Sequence, residues 1–252
     1  MSATAIIILV LLFFITTAIG VVTGGNSLIT VPVMFQFGIE PKTAIATNMF
    51  GLLFMSIGAS IPFLRQGKIE FKRLSPLIVL TLIGSTLGAL LVGWISDKTI
   101  PIIVSVAMIA VSIFTLVKRD AGVKKPGNVS SNSLILAYVL TFFLGIYGGL
   151  YSGGYITILT SVFVAFLGMT FSEAVAGTKF INIFSSAIAV IVFMWQGLID
   201  YKLGVILAVT MFLGAYVGAH FVTKLNDLWL KRIFLTTVLI LAIKTIFDFT
   251  LK

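Results

Sequence analysis

Gln66-Gly67-Lys68-Ile69-Glu70-Phe71-Lys72 and Gln196-Gly197-Leu198-Ile199-Asp200-Tyr201-Lys202 are one seven-residue pattern written twice, 130 residues apart. Four of the seven positions are identical, and Glu/Asp and Phe/Tyr are close substitutions. At the same offset Gly84 and Gly88-Ala89 match Gly214 and Gly218-Ala219, and Asp97 matches Asp227. Upstream, Gly24-Gly25 matches Gly153-Gly154 at offset 129, and Thr47-Asn48 matches Thr178-Lys179 at offset 131, as if small insertions separated the copies. Chance does not produce so many collinear matches. The chain reads as two homologous halves.

Each half is strongly apolar. Of the 252 residues 59% are hydrophobic and 10% charged, where a soluble domain carries about 25% charge; the mean hydropathy is +1.18. Residues 1–39, 43–64, 74–96, 99–117, 126–172, 180–199 and 203–223 hold no Asp, Glu, Lys or Arg. A helix crossing a hydrocarbon core of about 30 Å needs roughly 20 such residues. The class is therefore an all-α polytopic membrane protein, in contact with a lipid bilayer. The net charge of +9 is no nucleic-acid signal, because the basic residues lie in the short gaps between spans, as the positive-inside rule predicts. There is no cysteine, hence no disulfide framework or thiolate metal site. Met1-Ser2-Ala3-Thr4 lacks a basic n-region, so residues 5–22 read as a retained helix and not a leader.

The expected layout is four long transmembrane helices plus one short broken or re-entrant helix per half. A first span (5–22; 133–150) meets a glycine-rich break (23–27; 151–155) and then a short apolar segment (28–37; 156–168). Three spans complete each half: 43–64, 74–95 and 100–117, then 173–195, 202–222 and 231–249. The first repeat is 1–118, the second 133–252, and the charged, Pro/Gly-containing stretch 119–132 is a cytoplasmic linker within one integrated membrane domain. Arg65, Lys68, Lys72 and Arg73 crowd the turn after the third segment of the first half, whereas its partner turn keeps only Lys202. The next turn reverses that bias, with Lys98 alone against Lys224, Lys231 and Arg232. Inverted repeats predict such a swap.

A helix break within hydrocarbon is tolerated only inside protein or beside a water-filled cavity. Breaks at matched places in two halves are the best sequence pointer to a carrier's binding site. The candidates are Thr23, Gly24, Gly25 and Asn26 in one break and Ser152, Gly153 and Gly154 in the other. The short helices would present N-termini there, and free N–H groups attract anions. Tight helix packing is the competing account of the glycines. The following spans add Thr47, Asn48, Thr178 and Lys179, with Asn182 one turn beyond Lys179. A lysine inside a span costs about 2.5 kcal/mol or more at the bilayer centre and marks function by default. Snorkelling, or an ion pair with Glu173, would be the structural explanation. A cationic, amide-rich site points to a small inorganic or organic anion.

Other polar residues carry less. His220, the only histidine, ends a span; Lys244 and Asp248 sit four apart; Asp97 and Asp227 suit turns. Trp94, Trp195 and Trp229 fall at span ends, as an interfacial belt requires. No H-E-x-x-H, G-x-S-x-G or Walker A sequence occurs, so neither an enzyme, a metal site, a cofactor nor ATP-driven transport is expected.

The run from Gly20 to Pro32 (G-x-x-T-G-G-N-S-L-x-x-x-P), the A-x-A-T-N run at Ala44–Asn48, and their counterparts at Ser152–Gly154 and Ala176–Lys179 resemble the sulfite exporter TauE/SafE family, also described as the toluene sulfonate uptake permeases. The likeness covers residues 5–250, and Ser161 takes the place that Pro32 holds in the first half. It implies a multi-pass protein of the prokaryotic cytoplasmic membrane that moves sulfite, thiosulfate or an organosulfonate. Alternating access around a midplane site is the expected mechanism. An anion channel and a non-transport membrane subunit are the alternatives. Proton coupling, through Glu40, Glu173 or His220, and a homo-oligomer are compatible with the sequence and not required by it.

Overall fold

The computed structural model describes residues 3–117 and 130–224 together with Trp229 and Arg232. The last expected span apart from Arg232, together with Asp227, Lys244, Asp248 and most of the linker, lies outside that set. The described residues form nine helices and no strand: α1 (Ala3–Thr23), α2 (Ser27–Gln36), α3 (Pro41–Arg65), α4 (Phe71–Trp94), α5 (Ile100–Val117), α6 (Ser131–Leu150), α7 (Tyr155–Leu167), α8 (Phe171–Trp195) and α9 (Tyr201–Val222). Six of them, α1, α3, α4, α6, α8 and α9, are long and apolar enough to cross a membrane. At about 1.5 Å per residue, α2 and α7, with 10 and 13 residues, are too short to span alone. The protein is a multi-pass membrane protein.

The repeated heptapeptide is a helix-to-helix turn. Gln66 and Gln196 cap α3 and α8. Gly67 (φ +66°) and Gly197 (φ +68°) follow in the left-handed region, where a side chain would be strained. Lys68 N–H donates to Phe63 O at 3.1 Å and Leu198 N–H to Phe193 O at 3.0 Å, closing the same Schellman turn in both copies. Ile69 and Ile199 are then buried. Asp200 accepts from Leu203 N–H at 3.1 Å and starts α9.

The spacing between matching features is constant. Helix α3 covers 41–65 and α8 covers 171–195, each bound 130 apart. All six positive-φ glycines of the described residues form pairs at that spacing: Gly24 with Gly154, Gly38 with Gly168, Gly67 with Gly197. So Gly24 pairs with the second glycine of the other break, not the first; Asn48 pairs with Thr178, and Lys179 with Met49. The counterpart of Pro32 is Val162, not Ser161. No insertion separates the breaks: backbone conformation repeats at 130 throughout, while residue identities at the breaks and at Thr47 repeat at 129 and 131.

Helices α3 and α8 occupy the centre, with most of their length buried. Helices α4 and α9 turn apolar stripes outward: Val79, Ile83, Leu87 and Leu91 on α4, and Val205, Val209, Leu213, Val217 and Phe221 on α9. Inward faces are made of small residues. A Cβ on Gly84 would lie 2.6 Å from Phe142 O of α6, and one on Gly214 would lie 2.8 Å from Phe14 O of α1. Each G-x-x-x-G therefore docks its helix on the first helix of the other half.

Contacts at the helix ends fall into two groups. Gln66 Nε2 donates to Thr223 O at 3.4 Å, and the 67–74 turn shares a cavity with Met169, Glu173 and Gly177. At the other group, Gln196 Nε2 donates to Ala89 O at 3.4 Å, Asp200 N–H to Thr47 Oγ1 at 3.0 Å, and Lys42 Nζ to Gly93 O at 3.2 Å. Trp94 and Trp195, 90% and 79% exposed, end α4 and α8 in this second group.

Candidate functional site

The two breaks meet. Ser27 Oγ, at the start of α2, lies 2.7 Å from Ser152 Oγ in the second break. Tyr151 O–H donates to Ser27 O at 3.0 Å, and Tyr147 O–H donates to Gly153 O. From the other direction Gly24 (φ +69°) presses on the start of α7: a Cβ there would sit 2.7 Å from Ile156 Cβ and 2.8 Å from Thr157 N. Glycine is required at this point both for its backbone angle and for the close approach. The packing account of the glycines is therefore realised, and it brings the two short helices together.

Neither short helix has a side-chain N-cap. Asn26 and Gly154 hold the capping positions, and neither supplies a side-chain acceptor to the helix it starts. By contrast Ser130, Thr170 and Asp200 cap α6, α8 and α9. Helices α3 and α4 are uncapped too, but they begin at partly exposed ends. The starts of α2 and α7 are buried. Buried first-turn N–H groups need a partner, and backbone carbonyls of the breaks supply some of them: Leu28 N–H donates to Gly25 O at 3.0 Å, Ile29 N–H to Asn26 O at 3.0 Å and Tyr155 N–H to Ser152 O at 3.1 Å.

Asn48 ties α3 into this meeting point. Its Nδ2 donates to Ser27 Oγ at 2.9 Å, and its Oδ1 accepts from Thr30 Oγ1 at 2.7 Å. The equivalent pair in the second half is Thr160 Oγ1 and Thr178 Oγ1, 3.1 Å apart. Asn26 Oδ1 accepts from Thr17 Oγ1 at 3.4 Å, while Asn26 Nδ2 is buried without a partner.

Lys179 comes in from α8. It is 1% exposed, and its Nζ donates to Gly20 O, one turn before the first break, at 3.0 Å. Of its three N–H donors that is the one bonded among the described residues. It does not snorkel. It does not pair with Glu173, whose Oε2 accepts from Thr170 N–H at 2.9 Å in a capping box. The described carboxylates are Glu40, Glu70, Asp97, Glu173 and Asp200, and the one ion pair among the described residues joins Arg73 to Glu70 at 3.7 Å. Lys179 is thus a buried lysine with no carboxylate partner among the described residues.

The remaining expected residues scatter. Thr47 turns to the α8–α9 connection, where it accepts from Asp200 N–H. Asn182 Nδ2 donates to Ser56 Oγ of α3 at 2.7 Å, and its Oδ1 is buried and unpartnered. Thr178 sits on α7 through Thr160. Gly154 abuts Val111 of α5. Gly25 is buried in the first break, and the Thr23 side chain lies outside the described set. Sequence reasoning left Gly20, Ser27, Thr30, Ser56 and Tyr151 out of the site. The spacing of 18 that separates Thr30 from Asn48 and Thr160 from Thr178 was the available signal.

The sulfite exporter TauE/SafE family model matches residues 9–245, and the chain belongs to that family. It is 29% identical, over 93% of its length and 90% of the relative's, to the "probable membrane transporter protein ORF9" of a Sinorhizobium species. To "probable membrane transporter protein YfcA" of Escherichia coli K12 it is 24% identical, over 96% and 91%. To "probable membrane transporter protein YdhB" of Bacillus subtilis it is 27% identical, over 91% and 96%. No solved structure matches it significantly.

Proposed function

We propose, with membership of the TauE/SafE family as the premise, that this chain is a secondary carrier for a small sulfur-containing anion, sulfite, thiosulfate or an organosulfonate, across a prokaryotic cytoplasmic membrane. The observation that carries the reading is Lys179. A buried lysine with no carboxylate partner among the described residues, near two helix starts that lack side-chain caps, suits an anion. Gly24, Asn26, Asn48, Ser27 and Ser152 would complete the site from the two breaks. Their hydrogen-bonding groups are neutral, so the charge comes from one residue.

Alternating access is supported by how the helix ends are grouped. Helix α3 begins in the group that holds Thr47, Asp200 and Gln196 and ends in the group that holds Gln66 and Thr223. Its counterpart α8 begins beside the 67–74 turn and ends at Gln196, close to Ala89. Two homologous halves running in opposite senses around a shared site are the architecture of a rocking carrier.

The test is uptake of labelled sulfite, thiosulfate and a short organosulfonate into proteoliposomes. Saturable flux that is accelerated by unlabelled anion on the opposite side is expected of a carrier; flux without that acceleration would make the protein a channel. Lys179→Ala should lower the flux at least about tenfold, because a hydrogen bond to a charged group is worth ~1.5–3 kcal/mol. Wild-type flux in that variant would remove Lys179 from the site.

A further inference from the structure

The turn that joins α3 to α4 borders a cavity of about 360 Å³. Exposed Lys68 and Glu70 stand at its mouth, Arg73 and Glu173 on its walls, and buried Leu74 and Gly177 on its floor. Glu70 is held by Arg73, and Glu173 by the α8 capping box, while Arg65, Lys68 and Lys72 on the same turn face no ion-pair partner among the described residues. The approach is therefore cationic on balance. At the floor a Cβ on Gly177 would lie 3.2 Å from Leu74 Cδ2 and 3.8 Å from Phe163. Gly177 precedes Lys179 by two residues, roughly 3 Å of helix rise but about 200° around α8, so the lysine itself turns away from the cavity toward Gly20 of α1.

The same place in the other copy, 130 residues away, is built differently. Gly177 corresponds to Thr47, the Glu70 turn to the Asp200 turn, and Leu74 to Gly204. There the Thr47 hydroxyl accepts Asp200 N–H at 3.0 Å, and a Cβ on Gly204 would lie 3.7 Å from Thr47 Cγ2 and 3.2 Å from Phe50. Helix α9 is latched directly onto α3. The threonine latch cannot form at the cavity, because Gly177 has no side chain to offer Glu70 N–H; there α4 is held at its start by Arg73, which donates to Leu167 O of α7, and by Phe71 edge-on to Phe180 of α8.

We propose that the cavity floored by Leu74 and Gly177 is the vestibule by which a small anion enters from the side of the basic turn, and that the Thr47–Asp200 contact is the closed vestibule of the opposite side. This rests on the carrier reading above and assigns its two gates. One threonine, present in one copy and replaced by glycine in the other, biases the molecule toward the state open at Gly177.

The chain has no cysteine, so single cysteines report cleanly on access. In oriented vesicles a membrane-impermeant anionic methanethiosulfonate should modify Gly177→Cys from the side of the 67–74 turn. It should react faster there than a cationic analogue, and Lys68→Gln should reduce that ratio. Ile199→Cys, buried beside Thr47, should be inert from either side. Adding Thr47→Val should raise Ile199→Cys labelling from the opposite side about threefold to tenfold, the shift expected from losing one neutral hydrogen bond, and slow Gly177→Cys to match. Thr47→Ser, which keeps the acceptor, should restore the original pattern and excludes a folding defect. Gly177→Cys inert while Lys68→Cys at the rim reacts would overturn the vestibule, and Ile199→Cys labelling unmoved by Thr47→Val would overturn the latch. Labelling needs no flux: the expected pattern without sulfur-anion uptake leaves the vestibule standing and removes the substrate, and flux with an inert Gly177→Cys removes the vestibule alone.

Discussion

At the scale of single residues, neighbours in sequence have parted company. Thr47 and Asn48 differ by about 100° around α3, so one hydroxyl reaches the Asp200 turn and the other amide reaches the broken helix α2. The same holds for Gly177, Thr178 and Lys179 on α8, which face the cavity, α7 and α1 in turn. Asn48 is the most connected of the break residues, bonding Ser27 and Thr30 at once. Asn48→Leu keeps the volume and leaves the Ser27 hydroxyl with Ser152 alone. It should cost about 1–3 kcal/mol, the penalty of unpairing buried polar groups, read as a lower melting temperature in detergent. Lys179→Met tests charge apart from bulk, since Met49 stands at the matching place in α3 and is equally buried. The variant should fold as stably as the wild type or more so, because an uncompensated buried charge is removed, and should lose anion uptake. Loss of folded protein instead would make Lys179 a structural residue.

At the scale of helices, glycines with one name have two uses. Gly38, Gly67 and Gly197 have positive φ and open space around the missing Cβ. Gly67→Ala should cost about 1 kcal/mol, the left-handed penalty alone. Gly88 and Gly218 are ordinary helical residues pressed on backbone: a Cβ would collide with Ile146 O in one case and Ala18 O in the other. Neither neighbour is a flexible side-chain tip, so Gly88→Ala and Gly218→Ala must push α4 off α6 and α9 off α1. Overpacking of this kind costs roughly 1–3 kcal/mol or more, and the yield of monodisperse protein should fall well below that of Gly67→Ala. Equal yields for all three would mean that the G-x-x-x-G contacts are not tight.

At the scale of the whole molecule, the halves are woven together. Each half lends a G-x-x-x-G helix to the other's first helix, and each heptapeptide glutamine reaches carbonyls of the other half. Neither half can bury its own small-residue faces, so expression of residues 1–118 alone should not give stable protein. Orientation is open to direct measurement. Lys68→Cys and Leu198→Cys occupy matching places in the two heptapeptides, and opposed halves require an impermeant thiol reagent to reach them from opposite sides of the membrane. Labelling of both from one side would make the halves parallel and end the rocking reading.

By itself the sequence determined the membrane class, the helices, the two breaks, the doubled pattern and the place of Lys179 as an ionisable residue inside a span. These depend on local facts: a run of about 20 apolar residues must be helical in lipid, glycines mark the interruptions, and a charge amid hydrocarbon stands out. Tertiary structure alone decided which residues meet. Lipid-facing and core-facing positions are both apolar in a membrane helix, so periodicity does not reveal the buried side; on α1, Leu9, Phe13 and Val21 are buried and Ile7, Leu11 and Ile15 are exposed with no difference in character. Packing of one half on the other therefore chose Gly20 as the partner of Lys179, joined Ser27 to Ser152, and sent Thr47 to the Asp200 turn, because those contacts are set by the rotation of each helix against a neighbour more than a hundred residues away.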